Sequence, residues 1–321
     1  MTLLLAIANK QSSILIADRR ITRNGELIDD EHNKLCILFC DDAKLAVAFT
    51  GLATYGAFDT ATWLAEMLFE IGQTQCEITS LLEELRVKAN EKFSTIKTKD
   101  SRLTIIFSGF VYWSDSCEPI VYVLSNFEHD QSDLRNFTLR TISAEKSVIV
   151  EFAGMTKAIS AQTIEYLRSL AQKSIPSQSI LRSAVKKMQY AAKDACSLKL
   201  IGEQYNSAVI NAAPDAIVTS TYHTVKNANR AYVANVVIKG AVIALGWEIL
   251  SSSILAGPDI RKKSPCWCGS GDSFKRCHMR KFGSVYAHRE TFKEPLPVYL
   301  RHIVETPLPS GKGFCVVSSF A

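Results

Sequence analysis

The sequence predicts an α+β protein. Short apolar runs separated by turn signals open the chain, and two segments with three- and four-residue apolar spacing follow. The same order of strands and then paired helices repeats once before strands return. A sheet needs its apolar face covered, and two packed sheets with a helix pair beside each would meet that need.

Residues 3–8, 13–17, 35–39 and 46–49 read as strands. Turns fall at Asn9-Lys10-Gln11, Arg23-Asn24-Gly25 and Cys40-Asp41-Asp42. A helix fits 53–71, where Ala57, Ala61, Leu64, Met67 and Leu68 recur at helical spacing. A second fits 77–96, with Leu81, Leu82, Leu85, Val87 and Ala89. Strands fit 102–110, 119–125, 136–143 and 147–153. Helices fit 155–172 and 178–194, the latter after Pro176, and strands return near 207–211, 215–222 and 231–244. The chain divides into a main domain at 1–212, a strand-rich extension at 213–260, a short cysteine segment at 261–282 and a tail at 283–321. The tail carries Pro295, Pro297, Pro307 and Pro309, with a short strand expected at 314–317.

A chain of 321 residues, 47% hydrophobic and 21% charged, belongs with soluble globular proteins and can bury a sizeable core. No apolar run approaches the ~18 residues of a membrane-spanning helix. Residues 3–8 are too short for a signal-peptide core, and no basic segment precedes them. These readings point to the cytoplasm. Most of the nine cysteines are scattered through apolar segments, as small buried hydrophobes are. Charge is local: residues 261–281 hold seven Lys or Arg against Asp272 alone. Of the net +5, the remaining chain therefore keeps a slightly negative balance.

Three residues stand at equal intervals near the start. Asp18 follows Thr2 by sixteen positions, Lys34 follows Asp18 by sixteen, and Thr50-Gly51 closes the next strand. Removal of Met1 would give Thr2 a free amine beside its own hydroxyl, a known way to activate a weak nucleophile. The α-amine, with a pKa near ~7.7, can take the hydroxyl proton.

Thr2, Ala17-Asp18-Arg19-Arg20-Ile21-Thr22, Lys34 and Thr50-Gly51 resemble the proteasome β-subunit family, which includes HslV and the Anbu proteins. These are N-terminal-nucleophile (Ntn) hydrolases. The resemblance covers roughly residues 2–210 and is specific over the first fifty. It implies a four-layer αββα sandwich, and a threonine-type peptidase or amidohydrolase acting through an acyl-enzyme on Thr2. Lys34 would lower the amine pKa, Asp18 would hold Lys34, and the Gly51 N–H would stabilise the oxyanion. Thr22 and Gly51 would present backbone groups to an extended peptide. Ile21, Phe49 and Ala53 would line the pocket for the residue before the scissile bond, with Phe49 shortening it toward small or medium apolar side chains. The chain departs from the pattern at Ala153, where the family has Ser. It departs again at 203–207, where Glu203 or Gln204 would stand for an Asp and Ser207 for a Ser. Family members form rings, so the resemblance implies a homo-oligomer acting on peptide or protein substrates. No G-x-x-x-x-G-K-[ST] motif is present, so energy-dependent unfolding would need a separate ATPase. A reading from another class keeps the sandwich only for assembly, as a catalytically inactive adaptor.

Pro265-Cys266-Trp267-Cys268-Gly269-Ser270-Gly271, followed by Cys277-His278, has the spacing of two close ligand pairs. Cys266, Cys268, Cys277 and His278 can surround a structural Zn²⁺ tetrahedrally. The segment resembles the SEC-C module, which implies a knuckle that recruits a protein partner.

Overall fold

The computed structural model describes residues 2–223, apart from 24, 31, 73, 76, 99, 114–115, 128–135, 144–147, 198 and 214–217. Beyond these it describes six strands between 230 and 320. The cysteine segment at 261–282 lies outside the described residues.

The chain opens with β1 (Leu3–Asn9), β2 (Ser12–Asp18), the hairpin β3 (Ile21–Arg23) and β4 (Glu26–Asp29), β5 (Leu35–Phe39) and β6 (Ala43–Gly51). A small hairpin, β7 (Thr54–Tyr55) and β8 (Phe58–Asp59), leads into α1 (Thr60–Gly72) and α2 (Ile78–Thr95). Next come β9 (Leu103–Tyr112), β10 (Cys117–Ser125), β11 (Thr138–Ser143) and β12 (Val148–Gly154). Then come α3 (Ala161–Gln172), α4 (Ser177–Lys193), β13 (Tyr205–Asn211) and β14 (Thr219–His223). The later strands are β15 (Arg230–Tyr232), β16 (Asn235–Ile238), β17 (Ala241–Ala244), β18 (Glu248–Ser251), β19 (Val285–Ala287) and β20 (Val317–Phe320).

A six-stranded sheet has the order β12-β1-β2-β13-β14-β20, and a seven-stranded sheet the order β11-β10-β9-β6-β5-β16-β17. Pairing is antiparallel except at β14–β20 and β5–β16. The fold is a mixture of helices and mainly antiparallel sheet.

Strand β1 shows why the opening segments lack polar alternation. Leu3, Leu5 and Ile7 pack with Leu167 of α3 and Leu181 and Val185 of α4. Leu4, Ala6 and Ala8 point the other way and join Ala46 and Ala48 of β6, Ile106 of β9 and Val121 of β10. A strand buried on both faces reads as a continuous apolar run. Strand β6 repeats the arrangement: Leu45, Val47 and Phe49 meet Leu64, Leu68, Leu81 and Leu85 of α1 and α2. The cluster shared by the two sheets is rich in alanine, with Ala6, Ala8, Ala17, Ala46, Ala48, Ala153 and Ala208 all buried in it. Ser13 of β2 and Ser108 of β9 add a buried hydrogen bond of 2.7 Å between the sheets.

Two helix starts and one face assignment differ from the sequence reading. The first helix begins at Thr60, because residues 54–59 form a hairpin around Gly56 at φ +59°. The Asp59 carboxylate then accepts the Thr62 N–H at 2.8 Å, as an N-cap does. Ala57 therefore belongs to the hairpin turn. The third helix begins at Ala161, because the Ser160 hydroxyl accepts the Thr163 N–H and caps it there. Val87, assigned to the apolar face of α2, is exposed; Leu81, Leu82, Leu85, Ala89 and Phe93 form that face.

Leu85 is fully buried between α2 and its sheet. Leu85→Ala should cost about 3 kcal/mol, the transfer energy plus the cavity left behind. A urea titration should show a lower midpoint with an unchanged slope.

Candidate active site

The two sheets contribute different parts of one polar centre. The six-stranded sheet supplies Thr2, just before β1, and Asp18, the last residue of β2. The seven-stranded sheet supplies Lys34, just before β5, and Thr50 and Gly51, at the end of β6. Thr2 and Lys34 are each only 3% exposed, and Asp18 is fully buried.

Asp18 holds the centre together. Its carboxylate accepts the Leu3 N–H at 2.7 Å and the Arg20 N–H at 2.9 Å. It also faces the Lys34 ammonium at 3.4 Å. Lys34 donates to the Arg20 carbonyl at 2.5 Å and makes a short hydrogen bond to Thr2 Oγ1. Three partners match the three donors of an ammonium group. Thr2 Oγ1 lies 3.5 Å from the same Arg20 carbonyl.

Burial acts on both members of the ion pair. Desolvation raises the Asp18 pKa, opposed by Lys34 and by the Leu3 and Arg20 amides. Desolvation lowers the Lys34 pKa, opposed by Asp18. A lysine pushed down in this way and touching a hydroxyl is placed to exchange a proton with it. Next to it, burial also lowers the His32 pKa, although Asp59 faces the ring at 3.4 Å.

Sequence reasoning passed over two contributions to the placing of Thr2. Thr50 appeared there only as the small residue before Gly51. Its hydroxyl accepts the Thr2 N–H at 3.1 Å and lies 3.0 Å from the Thr2 carbonyl, to which it donates. The Met155 N–H also reaches that carbonyl, at 3.0 Å. Gly154 sits so close that a Cβ there would stand 1.8 Å from the Thr2 carbonyl oxygen. Its φ of +88° points to glycine as well. A hydroxyl before Gly51, and Gly154 at the end of β12, were the available signals.

Thr2 opens onto a cleft of about 710 Å³. Ile21, Thr22, Gly51 and Ala53 line it. Phe49 is not among the lining residues. Its side chain is 1% exposed, packs in the cluster beneath α1 and α2, and meets the His32 ring edge-on at 6.4 Å. Gly51, at φ +108°, has no room for a side chain, since a Cβ would stand 2.1 Å from the Arg102 carbonyl oxygen.

The other two segments singled out in the sequence lie in the same sheet. Ala153 is buried in the cluster shared by both sheets and pairs with Leu4. Ser207 lies within β13 opposite Ile16, and its hydroxyl meets His223 Nε2 at 2.8 Å. The Gln204 carbonyl accepts the Arg19 N–H at 3.1 Å. Cys36 is a buried hydrophobe whose thiol burial pushes up to about 12. Among the described residues no helix is long and apolar enough to cross a membrane.

Lys34→Met would leave the Asp18 carboxylate buried without its cation, at a cost of about 3–5 kcal/mol at neutral pH. The Asp18 pKa, already raised, should then rise further. A carboxyl whose folded pKa exceeds its unfolded value stabilises the fold at low pH and loses that contribution as pH rises through the folded value. Denaturant titrations should therefore show a smaller penalty at pH 5 than at pH 7.5.

Comparison with known proteins gives likenesses of two kinds. The model of the SEC-C motif family matches residues 263–280. The structure is similar to that of Anbu (ancestral beta-subunit) from Yersinia bercovieri, at 10% sequence identity and a TM-score of 0.45. That match covers 65% of this chain and 82% of the other. No curated protein matches the sequence.

Proposed function

We propose that this chain is a proteasome-like N-terminal-threonine hydrolase. It would cleave peptide or other amide bonds once Met1 has been removed, on a four-layer αββα sandwich. The observation that carries this reading is the contact of Lys34 Nζ with Thr2 Oγ1, backed by buried Asp18, at the wall of a cleft. In this reading the deprotonated form of Lys34, which burial favours, takes the Thr2 hydroxyl proton as Oγ1 attacks the substrate carbonyl carbon. The oxyanion meets the Gly51 N–H. The tetrahedral intermediate then expels the amine, which takes the proton back from Lys34. Water hydrolyses the ester on Thr2 with Lys34 as base again. The contact supports Lys34, in place of the Thr2 amine, as first proton acceptor; Thr50 accepts the Thr2 backbone N–H.

Ile21, Thr22, Gly51 and Ala53 would receive an extended peptide. With Phe49 withdrawn into the core, Ile21 and Ala53 would set the pocket beside the scissile bond. Self-assembly, and a separate ATPase for folded substrates, follow from the sequence resemblance. A second reading, as a non-catalytic assembly protein, is favoured by Ala153 and by the engagement of Ser207 with His223.

Thr2→Ala should fold normally but lose peptide hydrolysis and labelling by an electrophile selective for N-terminal threonine. Intact Met1 by mass spectrometry, or unchanged hydrolysis in Thr2→Ala, would favour the second reading. With Lys34 as base, kcat/KM should climb with pH and level off below the ordinary lysine value of about 10.4.

The donor set Cys266, Cys268, Cys277 and His278 suits Zn²⁺, with three thiolates and one imidazole around a closed structural site. These residues lie within the SEC-C match. The segment is short, and metal ligation would supply most of its folding energy. We expect about one zinc per chain by elemental analysis. Cys266→Ser with Cys268→Ser should remove the metal and any partner binding while small-peptide hydrolysis persists, because the main domain has its own core.

A further inference from the structure

The cleft beside Thr2 has a basic lining, although the chain outside 261–281 has a slightly negative balance. Among the described residues four cations line it, Arg20, Arg23, Lys97 and Arg102, against one carboxylate, Asp100. Two of the cations are already engaged. Arg20 grips Asp30 through two bonds of 2.7 and 2.9 Å and donates to the Lys199 carbonyl. Arg102 grips Asp100 at 2.7 and 2.6 Å, with its guanidinium 4.7 Å from the centre of the Phe127 ring. These ion pairs leave the lining carboxylate saturated.

Arg23 and Lys97 remain. Both are exposed, and neither side chain has an anionic partner among the described residues. They approach the cleft from different elements: Arg23 ends β3, and Lys97 follows α2. The Tyr55 hydroxyl donates to the Lys97 carbonyl at 2.6 Å, fixing that backbone to the β7 hairpin on the cleft wall. Glu26 stands opposite Arg23 in the β3–β4 hairpin without a salt bridge, and two cations outside ion pairs on one cleft raise the positive potential there.

Position along the cleft follows from strand geometry. The Arg20 carbonyl lies beside Thr2 Oγ1, and Arg23 is three residues further along. At ~3.3 Å per residue that is about 10 Å, the span of about three residues of an extended substrate.

We propose that the cleft selects acidic substrates: peptides, or other acyl amides, with a carboxylate about three residues from the scissile bond, recognised by Arg23 and Lys97. The proposal rests on the hydrolase reading for its reaction, but not for its ligand chemistry.

The test uses the full chain with Met1 removed and fluorogenic peptide amides that differ only in Glu, Gln or Lys at the third residue from the scissile bond. We expect kcat/KM for Glu to exceed that for Gln by roughly tenfold, with Lys below Gln and the ratio shrinking in ~0.5 M salt. Arg23→Gln with Lys97→Gln should bring the Glu/Gln ratio near one. Arg23→Glu with Lys97→Glu should reverse the order, so that Lys is preferred. Binding of the same peptides to full-length Thr2→Ala, read by fluorescence anisotropy, separates ligand choice from chemistry. Cleavage without a Glu preference would overturn the proposal and leave the hydrolase reading standing. Absent cleavage, with binding that favours Glu and loses that preference in the double variant, would sustain the acidic-ligand assignment and overturn the hydrolase reading. Neither cleavage nor selective binding would overturn both.

Discussion

The buried carboxylate of Asp18 is the point on which the rest of the site depends. It caps the Leu3 N–H at the start of β1 and the Arg20 N–H after β2, and it faces the ammonium of Lys34. One side chain thereby fixes the strand that follows Thr2, the turn whose carbonyl lies beside the Thr2 hydroxyl, and the cation that touches that hydroxyl. Burial makes the ionised form of each partner costly, so the pair represents stability given up in the neighbourhood of reactive atoms. Expense of that kind, at the wall of a cleft, is what distinguishes this centre from an ordinary structural ion pair.

Much of this was legible in the sequence, because the relevant signals are local. Thr2, Asp18, Lys34 and Gly51 each sit at a strand end, where the change from apolar run to polar residue is visible in one dimension. The strand groups and the helix pairs were legible for the same reason. Helix starts were less so. Asp59 and Ser160 set them through side-chain bonds to the backbone, and each lies inside a longer stretch that reads as helical.

What stayed hidden is contact across the sheets. Thr50 was visible as a residue type, but its two bonds to Thr2 cross forty-eight positions of sequence. Phe49 was assigned to the pocket by the family resemblance. Strand alternation and the packing of β6 beneath α1 and α2 turn its ring into the core instead. The basic lining of the cleft could not be read either. Arg23 and Lys97 become neighbours of one space only when β3 and the segment after α2 fold against the same hairpin. That they stand outside the ion pairs of the described residues shows only once Asp30 and Asp100 are seen to be engaged.

The alanines between the sheets carry one more consequence. Thr2 and Asp18 lie with one sheet, Lys34 and Gly51 with the other, and methyl groups on Ala6, Ala8, Ala17, Ala46 and Ala48 lie between, beside larger side chains such as Leu15, Ile106 and Phe110. The gap across which a hydroxyl meets an amine is therefore gauged in part by the smallest side chains of the interior. Adding a single carbon far from the cleft, on β2 or β6, would prise the two halves of the centre apart before it unfolded anything. Mutational sensitivity of this centre should accordingly run along the plane between the sheets, well beyond the residues that line the cleft.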